Sequence, residues 1–252
     1  GKLDNRVALV TGASRGIGAA TAVRAGQNGW RVCVNYNSSP DKAEEVAAAV
    51  HVAGGEAFTF KANQGVESEL VAMFEAVDKR WGHIDALCNN AGIDHEVEIV
   101  DSTWDDYMKV FKVNILGLMA SCREGLRRMS TKRGGKGGSI VNIGSISART
   151  GGLPKDVIYT ATKGAVDSFT LGLAKEIGGE GVRVNCVRPG VIETDIFSGN
   201  EFGLAEVKEL VKKLAPLGRI GQPDEIANMA VWLMSDEASY CTGMCYDVSG
   251  GR

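Results

Sequence analysis

Short apolar runs rich in β-branched residues recur along the chain, separated by stretches in which apolar positions return at helical spacing. The runs Val7 to Val10, Val32 to Asn35, Ala57 to Phe60, Ile84 to Cys88, Ser139 to Ile143, Val182 to Val187 and Met244 to Asp247 predict strands. Between them the pattern predicts helices over about 17–28, 41–53, 67–80, 102–129, 158–177, 205–214 and 224–235, several opened by a Ser, Asp or Pro-Asp cap signal. Strands alternating with helices predict an α/β fold, a doubly wound sheet of about seven parallel strands with helices on both faces. The glycine-rich stretch from Arg133 to Gly138 runs straight into a strand, so it reads as a helix-to-strand turn and not a linker. A single domain over 1–252 is expected, with a lid-like segment at about 190–216 where strand signals lapse.

Composition narrows the function classes. The 252 residues are 44% hydrophobic and 23% charged, an ordinary globular balance. A formal net charge of -3 gives no overall attraction for nucleic acid or an anionic membrane, so neither is expected as a partner. No apolar run is long enough to span a bilayer, and the first residues lack a signal-peptide core, so a cytoplasmic location is expected. The six cysteines are scattered without a C-x-x-C pair and are expected to be reduced, with no metal site.

The segment Thr11-Gly12-Ala13-Ser14-Arg15-Gly16-Ile17-Gly18 directly follows the first strand and opens the first helix. In a chain with 33 glycines the spacing alone says little, but that placement marks a Rossmann-type dinucleotide loop. Glycines let the backbone approach a pyrophosphate, and the helix N-terminus attracts its charge. A carboxylate at the end of the second strand would hydrogen-bond a ribose 2′-hydroxyl and repel a 2′-phosphate. Here that stretch is Asn35-Tyr36-Asn37-Ser38-Ser39, with no acid; Arg15, Asn37 and Ser38 supply donors instead. NADP(H) is therefore favoured, with NAD(H) the other possibility.

Tyr159 and Lys163 fall on one face of a predicted helix, four residues apart. Such a pair alone is ordinary, but it comes in series with the glycine loop, Asn89-Asn90-Ala91-Gly92 after the fourth strand, Asn114, Ser145 after the fifth, and Pro189-Gly190 after the sixth. From Val7 to Gly251 this series resembles the short-chain dehydrogenase/reductase family, and within it the branch holding ketoacyl reductases and glucose dehydrogenases. The resemblance implies hydride transfer between a nicotinamide cofactor and a carbonyl or alcohol. Tyr159 is then the acid or base, Lys163 its electrostatic support and ribose anchor, Ser145 a donor to the substrate oxygen, and Asn114 the holder of a proton-relay water. Working near neutral pH would require Lys163 to draw down a phenol that ordinarily titrates near 10.

The resemblance also places Asn90, Ala91 and Gly92 beside the adenosine ribose, Ala62 and Asn63 at the adenine, and Pro189, Gly190, Ile192 and Thr194 at the carboxamide. It implies a homotetramer, with one interface formed by the helices near 102–129 and 158–177. Asn63 stands where the family usually has Asp, and the interval from Ser145 to Tyr159 is one residue longer than in many relatives, which leaves Ser147 as a rival to Ser145. His95 is a loop histidine expected to face solvent. Two other functions remain open: an NAD-linked sugar or polyol dehydrogenase, and a dinucleotide-sensing protein without catalysis.

Overall fold

A computed structural model describes residues 4–194 and 204–252, with the side chains of 204–207 outside the description. Its strands are β1 (Val7–Val10), β2 (Arg31–Tyr36), β3 (Glu56–Lys61), β4 (Ala86–Asn89), β5 (Gly138–Ile143), β6 (Val182–Pro189) and β7 (Cys245–Val248). They form one parallel sheet in the order β3-β2-β1-β4-β5-β6-β7. The order reverses between β1 and β4, where connections leave toward opposite sides and open a crevice at the strands' carboxyl ends.

Alternation along each strand explains the near-continuous apolar runs. Ala8 and Val10 pack on one face with residues of α1 (Gly16–Gln27), α2 (Pro40–Ala53) and α9 (Pro223–Met234). Val7 and Leu9 pack on the other with α3 (Glu67–Trp81), α5 (Leu118–Met129) and α7 (Val157–Glu176). With both faces covered, every strand residue of β1 is buried.

The long helix expected over 102–129 is built differently. It comprises α4 (Trp104–Phe111), a π-helical stretch over Lys112–Gly117, and α5. Gly117 sits where a Cβ would lie 2.1 Å from the Gln64 carbonyl oxygen, so the rod touches the β3–α3 turn there. A short helix, α6 (Ser147–Thr150), was not predicted because its four residues carry no period, and α8 covers Leu204–Leu214. Of the lid expected at about 190–216, residues 195–203 lie outside the described residues. Among the described residues no helix is long and apolar enough to cross a membrane.

Candidate active site

The crevice at the β1–β4 reversal is a cleft of ≈ 500 Å³, walled by the loops after β1, β2, β3, β4, β5 and β6. Its floor is the glycine loop. Gly12 adopts φ +60, and a Cβ there would lie 2.8 Å from Ala91 Cα. A Cβ on Gly18 would lie 2.5 Å from both the Gly12 carbonyl oxygen and Asn90 Nδ2. Ser14, Arg15, Gly16 and Ile17 line the cleft, and no side chain caps the N-terminus of α1, which leaves its first N–H groups for a phosphate.

Two residues that the sequence did not single out brace this loop. The Thr11 hydroxyl accepts from the backbone N–H groups of Asn90 and Ala91, each at 3.0 Å. Asn35, 1% exposed, accepts through Oδ1 from Gly12 N and Gln64 Nε2, both at 3.0 Å, and donates through Nδ2 to the carbonyls of Phe60 and Ala62. Its signal was a polar residue ending an apolar strand run. Asn90, expected beside the adenosine ribose, lines the cleft but spends its amide on the carbonyls of Thr11 and Gly12.

Asn37 and Ser38, exposed beyond β2, share one wall with Arg15, and no carboxylate stands among them. Ala62 and Asn63 follow β3 in the same cleft; Asn63 Oδ1 accepts from Gly65 N at 2.9 Å, so it also shapes its own turn. Pro189, Gly190, Ile192 and Thr194 line the far wall. Gly190 has no room for a side chain, since a Cβ would meet Ser249 Cα at 2.7 Å.

The first turns of α7 bring Tyr159 and Lys163 into the cleft. Lys163 Nζ lies 5.5 Å from the centre of the Tyr159 ring and donates to the Ile143 carbonyl at 2.8 Å. Burial pulls the lysine down to about 8, against the opposing influence of Cys186, Asp167 and Asp94. Burial pushes the Tyr159 phenol well above its ordinary value; a Ser145 hydrogen bond pulls it back, and Asp94 and Asp156 raise it further. The phenol therefore holds its proton firmly, because lost hydration and the nearby carboxylates disfavour the phenolate.

The two rival serines touch each other. Ser147 directs both its backbone N–H (3.1 Å) and its hydroxyl (2.9 Å) at Ser145 Oγ. Ser145 therefore accepts twice and keeps its own proton for Tyr159 or a substrate oxygen. Asn114 sits inside the π-helical stretch, 1% exposed, accepting from Ile93 N and donating to Ile93 O, both at 2.9 Å, and to Thr162 Oγ1 at 3.1 Å. Gly92 stands between Asn114 and Lys163: a Cβ there would lie 3.4 Å from Asn114 Oδ1 and 3.6 Å from Lys163 Nζ.

Asp94 and Asp156 also face this end of the cleft. Asp156 is raised to about 6, chiefly by burial and then by Asp94. Isolated acids in irregular segments carry no sequence signal for such a meeting. His95 does not face solvent freely; its Nε2 lies 2.7 Å from Asp106 Oδ1, within the capped start of α4.

A family described as Enoyl-(Acyl carrier protein) reductase, a short-chain dehydrogenase group, matches residues 12–252. The chain belongs to the short-chain dehydrogenase/reductase family. It is 44% identical to the Escherichia coli K12 oxidoreductase YgfF, over 98% of this chain and 99% of that one. It is 36% identical to versicolorin reductase stcU of Emericella nidulans, over 99% and 96%. A Burkholderia cenocepacia short-chain dehydrogenase solved in complex with NADP superposes with a TM-score of 0.91, at 29% identity over 100% of this chain and 99% of that one. As a short-chain dehydrogenase/reductase, the protein is a nicotinamide-dependent enzyme acting on CH–OH groups or the corresponding carbonyls.

Proposed function

We propose that this short-chain dehydrogenase/reductase prefers NADP(H) and reduces a carbonyl, with Tyr159 as proton donor assisted by Lys163, Ser145 and Asn114. The observation that carries the reading is one cleft lined both by an uncapped glycine-loop helix end and by a tyrosine one turn from a buried lysine. Gly12, Gly16 and Gly18 let the loop turn tightly against Ala91, Thr194 and Asn90 so that the first N–H groups of α1 can meet a pyrophosphate, and the Arg15, Asn37 and Ser38 wall suits a 2′-phosphate. Ala62, Asn63, Asn90, Ala91 and Gly92 would flank the adenosine; Pro189, Gly190, Ile192 and Thr194 would flank the carboxamide. The coenzyme, when bound, supplies the hydride.

The chain's own residues manage the proton. As charge grows on the carbonyl oxygen, Tyr159 Oη gives up its proton and Ser145 Oγ donates a hydrogen bond to the same oxygen. The phenol is protonated at neutral pH and so enters carbonyl reduction with the proton it must give. Lys163, charged below about 8, stabilises the phenolate left behind. Asn114 fixes the Ile93 peptide from both sides and so orders the segment through which Lys163 would be reprotonated. Exposed Trp104, Leu116 and Met119 on the α4–α5 rod, with Val157 and Leu171 on α7, supply an apolar surface for the expected homotetramer. The cytoplasm is the proposed location.

Equilibrium titration of NADPH and NADH at fixed salt tests the coenzyme assignment. NADPH should bind more tightly, and Arg15→Ala should weaken NADPH by ~10-fold or more while leaving NADH nearly unchanged, as expected for loss of a charge-assisted contact. Tighter NADH binding would favour the sugar or polyol dehydrogenase instead. Steady-state assays with ketones, quinones, sugars and β-ketoacyl or enoyl thioesters then locate the substrate; turnover of enoyl thioesters alone would refute carbonyl reduction.

A further inference from the structure

Cys186 and Cys245 are direct partners in the β6–β7 register. Registered residues of neighbouring strands project to the same face, and adjacent strands lie about 4.7–4.9 Å apart, inside the Cα separation a disulfide spans. Both side chains do lie on one face, packed in the cluster beneath α7. Their sulfurs, with a carboxylate oxygen of Asp167, fall within 4.8 Å of one another. A thiophilic metal would need that carboxylate, but Arg188 holds Asp167 Oδ2 from Nε (3.0 Å) and Nη2 (2.9 Å). The guanidinium thus neutralises the one carboxylate of the group, and the two thiols stand side by side.

We propose that Cys186 and Cys245 form an oxidisable pair that closes to a disulfide when the protein meets a peroxide. Cys245 is half-buried and is the sulfur an oxidant reaches first, whereas Cys186 is buried. The neighbouring thiol, with Arg188, lowers Cys245, while that thiol and burial raise Cys186. The Cys245 thiolate attacks a peroxide oxygen; the S–O bond forms as the O–O bond breaks, leaving a sulfenic acid and hydroxide. Cys186 then attacks that sulfur, the S–S bond forms, and the sulfenyl oxygen departs as water with the proton Cys186 gives up. Two thiols and one hydrogen peroxide thus yield one disulfide and two waters. The bond ties β7, at the edge of the sheet, to its neighbour. It also removes the S–H that Cys186 directs at Asp167 Oδ1 (3.5 Å), one helical turn beyond Lys163. None of this depends on the proposed reaction or coenzyme.

The other thiols serve as internal controls. Cys33, Cys88 and Cys122 are buried and raised by that burial, and Cys241 is half-buried without a cysteine partner in register. The folded protein is treated with stoichiometric hydrogen peroxide, alkylated, digested without reductant and mapped by mass spectrometry. A peptide pair joined through Cys186 and Cys245, lost on adding dithiothreitol, is the expected result. Cys245→Ser, a change at the half-buried position, should abolish the link and leave Cys186 alkylatable only after denaturation. In Cys186→Ala, a 1,3-diketone probe should trap Cys245 sulfenic acid. Cys245 going on to sulfinic acid in the unsubstituted protein while Cys186 stays a thiol, or both thiols surviving treatment that oxidises Cys241, would overturn the proposal.

Discussion

Lys163 is 5% exposed, and its ammonium donates to the Ile143 carbonyl. Removing such a charge from water is costly, which is why burial draws it down to about 8. The sign of the consequence follows. The ammonium is present below that value and lost above it, while the raised Tyr159 keeps its proton throughout. In the reductive direction kcat/KM should therefore be level near neutrality and fall as pH rises past about 8, in a pH–rate series at saturating coenzyme. A profile flat to pH 10, near the ordinary tyrosine and lysine values, would remove Lys163 from the account. Asn35 makes a second case at this scale. From within β2, its amide joins the loops after β1 and β3. Asn35→Ala would strand the Gly12 N–H beside Gln64, and denaturant unfolding should show a loss of about 1–3 kcal/mol.

At the scale of the element, the rod from Trp104 to Met129 shows what periodicity does and does not disclose. Its start is fixed locally: Thr103 Oγ1 accepts from Asp106 N, and Asp106 Oδ2 accepts from Thr103 N at 2.8 Å. Thr103→Ala should cost about 1 kcal/mol in urea unfolding and leave kcat unchanged, since the cap is exposed and outside the cleft. Apolar spacing predicted the rod's extent within two residues, because burial of one helical face sets it. It missed the π-helical turn, because one extra residue per turn barely disturbs an apolar stripe. Yet Asn114 in mid-helix was the visible mark of the site, and the wide turn holds that side chain against Ile93. Strand runs were similarly legible because both faces of the sheet are covered. The glycine loop was legible because a strand-to-helix phosphate turn demands those residues, and the Tyr159–Lys163 pair only through the series of motifs that carries the family resemblance. The meeting of Asp94 with Asp156 was not legible, since it arises only through the tertiary fold, in segments without period.

At the scale of the whole molecule, the sheet reversal sets the glycine loop and the start of α7 around one cleft, so coenzyme and acid can serve one reaction. The exposed apolar residues of α4–α5 and α7 lie outside that cleft, which leaves them free for self-association. Sedimentation velocity should report a tetramer, and Leu116→Glu combined with Met119→Glu should shift it to smaller species; a monomer before substitution would refute the assembly. The central claim is that Tyr159 protonates a carbonyl that receives hydride in the same cleft. It is tested most directly with NADPH deuterated at the transferable position and a ketone that the enzyme turns over. The protein should deliver deuterium to the carbinol carbon, and Tyr159→Phe should bind NADPH with similar affinity but transfer it ~10²–10⁴-fold more slowly. Transfer by Tyr159→Phe at the unsubstituted rate would contradict the account.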